Sequence, residues 1–98
     1  MSDAGKPRLV FSCHAVSQMF ARAVTTEEVA AVLTSGDTIA SYPEDKPCPK
    51  RLVLGYATGG PLHVVVADDA VGGASIIVTT YRPDPAQWLP DWRTRRKP

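Results

Sequence analysis

The sequence has almost none of the residues from which metal and cofactor sites are built. Its 98 residues include two histidines and two cysteines. Cys13 and Cys48 have no CxxC spacing, and His14 and His63 form no HxxxH pair or Cys/His cluster, so a zinc set is missing. Asp68 and Asp69 share only their charge with a calcium loop. A strand-to-helix phosphate loop is missing as well: "GYATGGP" follows one strand and leads into another. There is no GxSxG nucleophile elbow. No apolar run approaches the roughly 18 residues of a membrane span, and "MSDAGKPR" lacks the apolar stretch of a secretory signal. A net charge of +1 gives no global pull toward nucleic acid or lipid. These absences lead to the expectation of a soluble, cytoplasmic protein with free thiols, no metal, no cofactor and no membrane partner. Cys13 is expected to be a small buried residue. Its neighbour His14 points about 100° away on a helix, which makes the two a poor nucleophile–base pair.

At 44% hydrophobic and 21% charged, the chain is of ordinary globular composition. Its length suits a single domain, residues 1–98, with a loose polar leader over residues 1–7. Residues 93–98 form a basic tail carrying Arg93, Arg95, Arg96 and Lys97. Such a tail can bind phosphates by releasing counterions. A solvated, frayed terminus is the plainer reading.

"RLVF" is a candidate short strand. Ser12 then caps a helix over roughly residues 13–22. Ala15, Met19 and Ala23 form one apolar row, with Val16 and Phe20 beside it, and together they make the expected core stripe. His14, Gln18 and Arg22 stand four apart on a neighbouring face, a polar row that drifts by about 40° per step. Thr25 followed by Glu28 is a capping box, opening a second helix over roughly residues 26–35. Val29, Val32 and Leu33 are its buried stripe, and Gly36 its stop. Beyond Gly36 the period falls to two. "DTIASY", "RLVLGY", "PLHVVVA" and "ASIIVTTY" read as strands, the last three joined by compact turns that impose antiparallel pairing. An α+β fold follows, with two N-terminal helices on a three- to four-stranded antiparallel sheet. Trp88 and Trp92 are expected to clip a C-terminal helical turn to the body.

His63 interrupts an apolar strand, where a histidine is more often a satisfied structural residue than a catalyst. Strict alternation groups Ile76, Val78 and Thr80 on one face of the last strand, and Ile77, Thr79 and Tyr81 on the other. His63 then shares a face with Thr80 or with Thr79 and Tyr81, depending on register.

Several pieces read together, "HAVSQMFARAVTTEEV", "LGY", "GPLHVVVA" and "TTYRPDP", resemble the bacterial domain-of-unknown-function family 4258, from about His14 to Trp88. The resemblance implies kinship with the RelE-type toxin fold, a scaffold of metal-independent ribonucleases. The family pattern has histidines matching His14 and His63, a Thr-Tyr pair matching Thr80 and Tyr81, and an arginine matching Arg22. A second arginine of the pattern is replaced here by Gln18, which cannot neutralise a phosphate. On this reading RNA is cleaved by 2′-hydroxyl attack. His63 is general base or acid, and His14 is the second proton carrier. Arg22 carries phosphate charge, Tyr81 with Thr80 donates or stacks, and Gln18, Arg93, Arg95 and Arg96 hold substrate. Each proton-transfer role is worth about 10²–10⁴ in rate. The implied partners are RNA or the ribosome and a cognate antitoxin. The alternatives on the same scaffold are a non-enzymatic interaction domain, or a small-molecule or anion pocket between helices and sheet built from the same His/Arg set.

Overall fold

The computed structural model describes residues 8–97; the expected leader lies outside them. Strand β1 (Arg8–Phe11) runs into Ser12, whose hydroxyl accepts the Ala15 N–H at 3.0 Å and so caps helix α1 (Cys13–Ala21). The same hydroxyl donates to the Val78 carbonyl at 3.0 Å, which ties the helix start to the far end of the chain. Helix α2 (Thr26–Ser35) opens with the complete capping box: Glu28 N–H to the Thr25 hydroxyl at 3.1 Å, and Thr25 N–H to the Glu28 carboxylate at 3.0 Å. The other Glu28 oxygen accepts the Thr58 N–H, which anchors α2 to a hairpin tip.

Strands β2 (Asp37–Tyr42), β3 (Lys50–Ala57), β4 (Gly60–Asp69) and β5 (Ala74–Tyr81) follow. The sheet has five strands in the order β1-β5-β4-β3-β2. The consecutive strands β2 to β5 pair antiparallel, as tight turns require, but β1 lies parallel to β5. The expected three- or four-stranded antiparallel sheet is therefore corrected to a five-stranded mixed one. The α+β class and helix placement stand. Turn length speaks only for neighbours in sequence, and the β1–β5 pair closes across the whole chain.

Both helices cover one face of the sheet. Ala15, Met19, Val29 and Val32 meet Val53, Leu62, Val64, Val66 and Ile77 there, all at most 5% exposed. Gly55 is the contact point: a Cβ on it would sit 2.8 Å from a Val32 methyl. Gly36 caps α2 in extended backbone, where a Cβ would run into the Val32 carbonyl oxygen.

Helix α1 buries less than its periodicity suggests. Val16 and Phe20 are 53% and 91% exposed, and Cys13 is exposed rather than buried. The helix ends at Ala21, and Ala23 is an exposed turn residue at φ 55°. A nine-residue helix lying over β5 buries Ala15 and Met19, and the neighbouring row turns outward. No helix among the described residues is long and apolar enough to cross a membrane.

Candidate functional site

The face of the sheet away from the helices is ordered by polar and aromatic contacts. Residues opposite each other across paired strands share a face, so Leu54 and Tyr81, the partners of His63, lie on its side. Leu62 and Val64 flank His63 in sequence and point into the helix-side core. A bulge in β5 between Ile77 and Thr79 breaks the strict alternation expected there. It puts Ile77 and Thr80 together on the helix side and leaves Thr79 and Tyr81 with Val65 and His63. Thr80 is fully buried there, and its hydroxyl has no hydrogen-bond partner.

Over this second face folds the segment from Gln87 to Arg96. It is two successive turns closed by an antiparallel bridge between Trp88 and Arg95, not the expected helical turn. Leu89 N–H reaches the Thr94 carbonyl at 2.8 Å and Arg96 N–H the Gln87 carbonyl at 2.8 Å. The frayed tail expected from composition is folded back through Arg96; Pro98 lies outside the described residues. Pro90 within this stretch, with Pro83 and Pro85 just before it, denies it a regular ladder, so it closes on side chains and a single bridge.

His63 is the anchor of that strap. Its Nε2 is 2.8 Å from the Trp92 carbonyl oxygen and its Nδ1 is 3.2 Å from the Tyr81 hydroxyl. A carbonyl only accepts, so Nε2 carries the proton and Nδ1 accepts from the Tyr81 O–H. Trp92 holds its carbonyl in place from a left-handed backbone, φ 62°, which a tryptophan rarely adopts. Burial lowers the pKa of His63, against the smaller opposing effect of the Trp92 carbonyl. Burial raises that of Tyr81, with Arg95 pulling the other way. Both groups are thus neutral at physiological pH. The Trp88 ring stands edge-on to His63 with centroids 4.5 Å apart, and Tyr81 stands edge-on at 5.2 Å. The Arg95 guanidinium lies over Trp88, 5.3 Å from the ring centroid.

Beside this stack opens a pocket of about 220 Å³. Its floor is Leu52 and Val65, and its walls include Tyr42, Tyr81, Trp88, Arg93 and Arg95. Arg93 is ion-paired with Asp37, the first residue of β2. The ion pairs among the described residues do not include Arg95. The pocket therefore combines apolar and aromatic walls with two guanidinium groups, a composition suited to a ligand with a flat ring and an anionic group.

Of the residues singled out in the sequence, the structure joins Tyr81, Arg93 and Arg95 at this pocket, with His63 beneath them. It does not bring His14, Gln18 or Arg22 to them. His14 and Gln18 lie on α1 and Arg22 is its C-cap, across the sheet, where the Arg22 guanidinium donates to the Gln18 amide oxygen. Arg96 is turned away and donates to the Pro85 carbonyl. The pocket is on the far side of the sheet, not between helices and sheet as the anion-pocket alternative supposed. Sequence reasoning passed over Tyr42 and Asp37. Period-two spacing does put Tyr42 on the face of Ala40, but nothing local in "DTIASY" marks Asp37 as a partner of Arg93. Among the described residues no group of three His, Cys, Asp or Glu is placed to hold a metal ion.

No curated protein and no solved structure matches the chain. A family model does match, over residues 11–82, from the end of β1 to just past Tyr81. With well over half of its length matched, the chain belongs to the family described as Domain of unknown function (DUF4258).

Proposed function

We propose that this domain is a non-enzymatic binding module that takes single-stranded RNA at the pocket of Tyr81, Trp88, Arg93 and Arg95. One observation carries the reading: Arg95, which has no ion-pair partner among the described residues, spreads its guanidinium over a tryptophan at the rim of an aromatic-walled pocket. Single-stranded nucleic acid is held by such pairs, its bases against aromatic rings and its phosphates against arginine. His63 supports binding over cleavage, because both its ring nitrogens are engaged and it is fully buried. A general base needs a nitrogen open to the proton it removes.

The second reading is metal-independent cleavage on a RelE-like scaffold, with an antitoxin covering the site. It is favoured by the Tyr81 phenol and Arg95 lining one pocket, a proton donor beside a phosphate-neutralising charge. Labelled single-stranded RNA incubated with the protein and EDTA separates the two. Binding is expected by fluorescence anisotropy with the RNA intact on a gel, and Arg95→Ala is expected to weaken it about tenfold, some 1.4 kcal/mol. Cleavage products that vanish in Tyr81→Phe would replace binding with the nuclease reading. Absence of binding rejects both.

A further inference from the structure

Arg93 and Arg95 both line the pocket, yet they are not in the same state. Arg93 is paired with the Asp37 carboxylate, while Arg95 lies over the Trp88 ring and has no ion-pair partner among the described residues. Asp37 comes from the edge strand β2, opposite Leu54, so it projects on the pocket side of the sheet. The Arg93 backbone is fixed by its N–H to the Asp91 carboxylate at 2.9 Å. Its guanidinium can therefore change partners without the strap moving.

We propose that Asp37 is a built-in competitor for the pocket's ligand: it holds Arg93 until a phosphate group takes its place. The proposal rests on the reading above that this pocket binds an anion, and it names the anion as a phosphate monoester attached to a flat ring. Three features point that way. The Asp37–Arg93 pair is half open to water, with side chains 63% and 47% exposed, and such pairs are held weakly enough to exchange. A phosphate presents oxygens to two forked guanidiniums at once, whereas one carboxylate serves only Arg93. The Tyr81 O–H is already committed to His63, so the pocket offers an incoming anion arginines rather than hydroxyl donors. A phosphate thus gains Arg95 outright and Arg93 by exchange, while a flat ring has the aromatic walls. A nucleoside monophosphate and the terminal nucleotide of an RNA strand share this chemistry.

The test is titration of the full chain with inorganic phosphate, with adenosine 5′-monophosphate, and with short single-stranded RNA bearing or lacking a 5′-phosphate. Tryptophan fluorescence reports occupancy, because Trp88 is in the wall. Asp37→Asn is expected to bind phosphate and the monophosphate about two- to fivefold more tightly than the native chain, the range of one weak ion pair. The gain is expected to vanish when Arg93→Gln is added, and Glu27→Gln, which removes a charge on the helix side, is expected to leave binding unchanged. Equal or weaker binding by Asp37→Asn overturns the proposal. So does a gain that survives Arg93→Gln, or a failure of every variant to bind either small anion. Thermal melting confirms that Asp37→Asn is folded. Tight monophosphate binding with no RNA binding keeps the exchange and rejects the RNA reading, so the two fail separately.

Discussion

Strand β4 serves two environments with alternate residues, and the two faces of the sheet differ in what holds them. On the helix side, Leu62, Val64 and Val66 sit in an apolar layer where shape and volume set the energy. On the strap side, His63 is held by two directional hydrogen bonds and two edge-on rings, and the turns above it are closed through its Nε2. The first face would tolerate another hydrophobe of similar size. The second is built around one ring and its tautomer. The pocket of Tyr81, Trp88, Arg93 and Arg95 opens on the second, where a strap of irregular backbone leaves gaps against the sheet.

Mutations on each face should separate these two kinds of stability. Leu62→Ala removes a fully buried side chain from beneath the helices and is expected to cost about 2–5 kcal/mol in urea unfolding. His63→Leu keeps much of the volume but strands the Trp92 carbonyl and the Tyr81 hydroxyl, for an expected loss of about 1–3 kcal/mol. It should also unpin the strap, seen as a Trp88 emission change that Leu62→Ala does not produce in the folded state. Acid should distinguish the faces again. The folded pKa of His63 lies below its ordinary 6.5, so its contribution is complete above that value and is lost as pH falls through the folded one. Unfolding free energy should decline below pH 6.5 in the native chain, and less steeply in His63→Leu. The smallest effect has the opposite sign. Thr80→Val replaces an unpartnered buried hydroxyl with a methyl and is expected to stabilise by up to about 1 kcal/mol. A loss there would mean that the helix face is not purely apolar at Thr80.

Local chemistry made much of the fold legible. Ser12 and Thr25 begin their helices where a capping oxygen has an N–H to accept, and the strands lie where the period is two. The site was legible only in pieces. Tyr81 was singled out by the resemblance and Arg93 and Arg95 by the basic tail, with nothing to join the two, and the row His14–Gln18–Arg22 drew equal attention on a helix that faces away. Tyr42 and Asp37 drew none, because their roles exist only opposite the folded-back strap. The β5 bulge was also illegible: its extra residue, Val78, fits a regular strand by composition, and its carbonyl is satisfied by Ser12, far away in sequence.

Sequence alone determined the helices, the strands and the alternation that divides Leu62 from His63, since caps, turns and periods act within a few residues. Tertiary structure decided the parallel docking of β1 on β5, the outward turn of Val16 and Phe20, and the side of the sheet that carries the pocket. Those outcomes depend on which distant segments meet, and Trp92, Asp37 and Arg95 acquire their partners only when the chain's end closes over His63.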